Sequence, residues 1–173
     1  HIHTRTKVGL FDVSHMGQVR IFGDDADLAL ETLVPGNIAD LKLGRIRYTF
    51  FTNAHGGILD DLTVGRADNY LAVVVNAACK DDDLAHMQAK IGGDCQIKQL
   101  DDYALLALQG PMAADVLKRH APACSAVRFM EFANIEVGGI PCGVARAGYT
   151  GEDGFEISVA ADQAVDLARL LLG

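Results

Sequence analysis

The sequence predicts an α+β fold of mixed or antiparallel sheets with helices, and three observations carry that reading. Strand-like runs come singly and in hairpins rather than in a regular βαβ rhythm. Of the 173 residues, 50% are hydrophobic and 22% charged, which at this length supports a core without disulfide or metal staples. No internal repeat and no Pro- or Ser-rich linker divides the chain.

The elements follow in order. An apolar strand precedes His15, and residues 17–22 alternate Val19 and Ile21 with Gln18 and Arg20, the period of a second strand. Asp24 or Asp25 is placed to cap a helix running to Leu33, which Pro35-Gly36 stops. Residues 45–51 and 58–64 flank Asn53-Ala54-His55-Gly56-Gly57, turn chemistry that joins two strands in a hairpin. The nearly continuous apolar run 70–75 is a buried strand. Residues 80–91 form a helix with acidic side chains in its first turn, where the helix dipole favours them. Strands are expected at 96–100 and 103–108, with Asp101-Asp102 as the turn between them. Gly110-Pro111 opens another helix, with Pro early in it, where a missing N–H does no harm. Residues 135–137, 142–145 and 155–159 read as strands, and 161–172 as a closing helix.

Composition narrows the function classes. Fifteen basic against 23 acidic side chains leave a net charge of -8, which argues against nucleic-acid or anionic-membrane surfaces built on clustered Lys and Arg. No run approaches the roughly 20 apolar residues that span a bilayer. Cys79, Cys95, Cys124 and Cys142 lie far apart without CxxC pairing, which reads as free thiols in a reducing compartment rather than a zinc site. The first residue is not Met and the last ones lie in a helix-like run, so the chain reads as a piece of a longer protein.

Among candidate motifs, the Gly-rich stretch 148–154 has neither the Lys nor the following helix of a P-loop, and its carboxylates would repel phosphate. Asp60-Asp61 is more informative. Asp is depleted in strands, yet these two interrupt the apolar Ile58-Leu59 and Leu62. If 58–64 is a regular strand, Asp60 shares a face with Ile58 and Leu62, and Asp61 shares the other with Leu59 and Thr63. A carboxylate between apolar neighbours is desolvated and its pKa rises unless a cation or donor compensates, a setting suited to a cationic or proton-transferring substrate. The alternative is a solvated acidic pair at a hairpin edge. Tyr149 and Glu156 bracket the Gly-rich turn, so a phenol and a carboxylate can approach across it and suit a flat, hydrogen-bonding heterocycle. The alternative there is a packing Tyr and a surface charge. His15 reads as a base or, more simply, as a structural histidine.

These residues carry a resemblance. The block Gly9-Leu10-Phe11-Asp12-Val13-Ser14-His15-Met16-Gly17 resembles the signature near the start of aminomethyltransferases, the T-proteins of the glycine cleavage system. It continues through Tyr48-Thr49, then 53–62, then 74–79, then Leu108-Gln109-Gly110-Pro111, and then 148–157, in the family's order over essentially the whole chain. The resemblance implies transfer of the aminomethyl-derived one-carbon unit from the lipoyl group of H-protein to tetrahydrofolate, releasing ammonia and forming 5,10-methylenetetrahydrofolate. By the same resemblance Asp60 is the key carboxylate, Tyr149 and Glu156 hold the pterin of the folate, and Asn76, Val74 and Tyr48 are lesser pocket contacts. No metal is implied.

It further implies that the 173 residues are the truncated folate-binding region of an enzyme about twice as long, with a C-terminal domain and an Arg-bearing block outside them. Two interleaved subdomains are expected, with boundaries near 50 and 140, and the fragment alone is expected to be inactive. The compartment implied is the cytoplasm of a bacterium or the mitochondrial matrix of a eukaryote. Two related readings compete: the folate domain of a sarcosine or dimethylglycine dehydrogenase or of a demethylase, and a non-catalytic folate-binding module. The blocks around His15-Met16-Gly17 and Gly56 to Asp61 favour the glycine-cleavage branch, and Asp60 weighs against the non-catalytic one.

Overall fold

A computed structural model describes residues 1–173. The chain folds as two compact units, one built from residues 1–14 and 102–173 and the other from 15–101. The first begins with α1 (Ile2–Thr6) and β1 (Gly9–Asp12). The inserted unit follows with β2 (Gly17–Phe22), α2 (Ala26–Glu31), β3 (Ile46–Thr52), β4 (Ile58–Arg66), β5 (Leu71–Val75), α3 (Lys80–Ile91) and β6 (Gln96–Gln99). The first unit then resumes with β7 (Tyr103–Gln109), α4 (Ala113–His120), a 3-10 turn (Pro122–Ala126), β8 (Phe132–Val137), β9 (Ile140–Ala145), β10 (Gly154–Ala160) and α5 (Ala164–Leu172).

Each unit is one five-stranded antiparallel sheet with its own core. The order is β1-β7-β10-β9-β8 in the first and β3-β4-β5-β2-β6 in the second. Ile21, Leu30, Phe51, Leu62, Val64 and Met87 are fully buried in the inserted unit. Leu108, Leu117, Val144, Phe155, Ile157 and Leu167 are their counterparts in the other. The α+β antiparallel expectation therefore holds, with every strand pair antiparallel.

The units divide at 14/15 and 101/102 rather than near 50 and 140. The reason is the pairing of β1 with β7, Gly9 opposite Gln109 and Asp12 opposite Leu106. Two strands far apart in sequence are hydrogen-bonded neighbours, so everything between them folds as an insertion. Local differences have local causes. Asp25 is the N-cap residue of α2, but its side chain makes no capping bond. Pro111 lies just ahead of α4 instead of inside it. The five-residue α1 and the 3-10 turn are too short to show a period, and neither has a side-chain capping bond.

Candidate functional site

The carboxylate at the centre of the inserted unit is built by a strand register. β4 pairs with β3 so that Phe51 stands opposite Asp60 and Phe50 opposite Asp61. On its other side β4 pairs with β5, Leu62 opposite Val75, and one further step of that register brings Asn76 to Asp61. Asp60 faces the buried side of the sheet and is only 8% exposed. The Asn76 backbone N–H donates to Asp60 Oδ2 at 3.1 Å and its Nδ2 to Oδ1 at 3.0 Å. The same Nδ2 lies 3.0 Å from Asp61 Oδ1 and 3.1 Å from the Asp61 carbonyl oxygen. One amide thus joins two carboxylates that point to opposite faces of the sheet.

The face alternation holds for Asp60, Leu62 and Val64, but not for Ile58. The register shifts between Phe51 and Thr52, which faces Ile58 and leaves Leu59 as an extra residue in β4. Such a bulge breaks the period of two, and Ile58 is 65% exposed rather than on the Asp60 side. On the opposite face, Tyr48, Thr63, Val74 and Gln18 are consecutive cross-strand partners. The Tyr48 hydroxyl donates to Asp61 Oδ2 at 2.9 Å, and this bond pushes the phenol pKa up. Tyr48 therefore reaches Asp61 and Val74 lies across from Thr63 on the same face, whereas Asn76 alone of these residues reaches Asp60.

Burial opposes ionisation of Asp60. Hydrogen bonds from the Asn76 amide and backbone N–H, and from the Asp83 side chain, outweigh it and hold the carboxyl below the usual range. The compensation comes from neutral donors and not from a Lys or Arg, so the negative charge is stabilised without being cancelled. Asp83, in the first turn of α3, is 3% exposed, and its carboxyl is pushed up to about 7 by burial and then by Asp60 and Asp82. The Cys79 thiol is likewise held up, by burial and by the charges of Asp60 and Asp83. A thiol so placed stays protonated and is no nucleophile.

Sequence reasoning missed Asp83, which it assigned to the helix dipole. The signal was there in the helix period: Asp83, Met87 and Ile91 stand four residues apart and are the buried stripe of α3. His15 is exposed, and Asp101-Asp102 form the expected turn.

Tyr149 and Glu156 lie in the other unit. Glu156 sits mid-strand on β10 with Ala145 and Ala107 as its cross-strand partners, so the register sets Ala145 rather than Tyr149 opposite it. Burial alone pushes its carboxyl up. Tyr149 is 71% exposed on the loop 146–153. That loop is tied down from below by buried Gln109, whose Nε2 donates to the Ala147 carbonyl at 2.9 Å and whose Oε1 accepts from Thr150 Oγ1 at 3.1 Å. Arg5 holds its rim, donating to the Thr150 carbonyl and pairing with Glu152, both at 2.9 Å. Arg146 closes it with a two-pronged pair to Asp153.

An Asn-held, buried carboxyl in one antiparallel unit, and a stapled Tyr loop and a strand Glu in a second, characterise an α+β protein of two antiparallel sheets. The chain belongs to the GCVT N-terminal domain family, which it matches over residues 1–173. It is 42% identical to the mitochondrial aminomethyltransferase of Dictyostelium discoideum and 48% identical to that of Homo sapiens; each match covers 99% of this chain and 45% of the relative. The chain thus spans about half the length of these relatives. Among solved structures, the glycine cleavage system aminomethyltransferase T of Bartonella henselae superposes with a TM-score of 0.87 at 38% identity, over 100% of this chain and 47% of that one. The heterotetrameric sarcosine oxidase of Corynebacterium sp. U-96 shares the fold, with a TM-score of 0.72 at 18% identity over 97% of this chain and 85% of the other. No helix is long and apolar enough to cross a membrane.

Proposed function

We propose that residues 1–173 are the N-terminal, folate-binding portion of a longer aminomethyltransferase, the T-protein of a glycine cleavage system. The whole enzyme takes the aminomethyl group carried by the lipoyl arm of H-protein, releases ammonia and passes the one-carbon unit to tetrahydrofolate. The product is 5,10-methylenetetrahydrofolate, which links glycine catabolism to one-carbon metabolism. Lipoylated H-protein and the folate are the partners; nucleic acid and membrane are not. The compartment is the cytoplasm of a bacterium or the mitochondrial matrix of a eukaryote; the Dictyostelium discoideum and Homo sapiens relatives are mitochondrial enzymes.

The observation that carries this reading is the setting of Asp60: buried and held by the neutral donors of Asn76, which favour its ionised form. A carboxylate in that state complements positive charge that develops on the transferred carbon–nitrogen unit, and more strongly in a low-dielectric setting than in water. Asp60 is therefore the catalytic group of the proposal. Asn76 orients it, while Val74 and Tyr48 are lesser contacts. Glu156 accepts hydrogen bonds from the amino and ring N–H groups of the pterin, and Tyr149 lines the same ligand.

Titration calorimetry of the full-length protein with tetrahydrofolate tests the binding half, and ammonia release from aminomethylated H-protein tests the chemistry. Saturable binding is expected, weakened in Glu156→Ala by about 1–3 kcal/mol because pterin donors lose their acceptor. A folded full-length protein that binds no folate overturns the reading. Folate binding without ammonia release makes the protein a non-catalytic folate-binding module.

A further inference from the structure

We propose that Asp83 carries the shared proton of an Asp60–Asp83 carboxyl pair and is thereby the positioning residue that keeps Asp60 ionised and aimed. The inference rests on the functional reading of Asp60 given above and adds a residue which that reading does not use.

The geometry is specific. Asp83 belongs to the buried stripe of α3 and is almost wholly enclosed. The electrostatics of both groups couple its carboxyl to that of Asp60. Two carboxyls can be hydrogen-bonded only if one of them holds a proton. Both Asp60 oxygens already accept N–H bonds from Asn76, which favours the ionised form there. Asp83 Oδ2, by contrast, is sealed from solvent and receives no hydrogen bond. An ionised oxygen in that position would forfeit its hydration without compensation. The proton therefore resides on Asp83, where it serves as a donor to Asp60.

The groups facing Asp83 point the same way. Asp60 comes from β4, and Cys79 and Asp82 come from the start of α3, and the charges of Asp60 and Asp82 both disfavour the charged form of Asp83. The arrangement places a neutral donor where a Lys or Arg would have cancelled the charge that the chemistry needs. Like charges in contact do not both ionise readily, so the pair titrates as a unit. Asp60 loses its proton first and Asp83 last.

Two measurements on the full-length protein test this. The first is carbon NMR of labelled aspartate carboxyls across pH. One carboxyl is expected to titrate near neutrality, to vanish in Asp83→Asn, and to move down by on the order of one unit or more in Asp60→Asn, where the facing charge is gone. The second is the pH profile of kcat/KM for ammonia release, whose acid limb reports protonation of Asp60. Asp83→Leu removes the donor and should shift that limb up by about one unit. Asp83→Asn still donates and should leave the limb close to its original position, with turnover about tenfold above that of Asp83→Leu.

A merely structural Asp83 lowers the melting temperature in both variants without moving the limb, and that result overturns the proposal. So does an Asp83 carboxyl that titrates in the ordinary carboxylate range. If the full-length protein transfers no aminomethyl group, the functional reading fails separately and the NMR titration alone decides the pair.

Discussion

Asp60 and Asp61 are neighbours in sequence with different surroundings, and amide substitutions test the roles proposed for them. Asp60→Asn keeps the shape but removes the charge, and should lower turnover of the full-length enzyme about 100-fold or more if electrostatic stabilisation dominates. Asp61→Asn keeps one oxygen to accept from Asn76 or Tyr48, and should cost far less turnover while lowering the melting temperature. Steady-state kinetics with thermal melts on both variants checks this, and equal turnover losses would contradict it. Glu156 gives a prediction on stability and pH. Its pKa is raised by burial, so the folded chain keeps this proton over a range where the unfolded chain has released it. The native state is then progressively disfavoured as pH climbs from the unfolded pKa to the folded one, and the cost is constant above that. Glu156→Gln removes the cost, so its melting temperature should exceed that of the parent chain at neutral pH, and the gap should close towards pH 4. The same variant should bind folate more weakly, because an amide meets the pterin donors only in part.

At the scale of elements, two close approaches hold the sites in register. Gly17 on β2 lies under the start of α3, and a Cβ there would come within 2.6 Å of Val75 Cγ2 and 2.9 Å of Lys80 Cβ. Gly17→Ala should force β2 and α3 apart at a cost of about 1–3 kcal/mol, read from denaturant unfolding. Because Asp83 sits in the first turn of α3, the displacement should also disturb the carboxyl pair. In the other unit, buried Gln109 fills the space that a side chain at position 154 would need, with the built Cβ only 2.5 Å from Gln109 Cδ. Gln109→Ala strands the Ala147 carbonyl and frees the Tyr149 loop. It should destabilise by about 1–3 kcal/mol and raise KM for folate more than it lowers kcat. These strands and helices were legible in the sequence because alternation at 17–22 and the four-residue stripe of α3 are local patterns. The bulge at Leu59 was not, since a register shift depends on the partner strand and leaves no mark on the alternation within β4.

For the molecule as a whole, the proposal of a longer enzyme carries its own test. The isolated chain of 173 residues should release ammonia from aminomethylated H-protein at least about 100-fold more slowly than the full-length protein, because incomplete positioning of the reacting groups forfeits that much. A rate near that of the full-length protein would refute it.

The sequence by itself determined the α+β class, most element positions, the resemblance to aminomethyltransferases and the choice of Asp60 as the residue to watch. Each of these is written in local period, turn chemistry or colinear blocks. Only the tertiary structure decided that β1 pairs with β7 and makes residues 15–101 an insertion. It alone supplied the donors that compensate the desolvation of Asp60 and lower its pKa, and brought Asp83 from α3 into play with the carboxylate. Strand pairing, desolvation and the sharing of a proton are properties of groups distant in sequence. No window of residues contains both partners, so they become legible only when the chain has closed on itself.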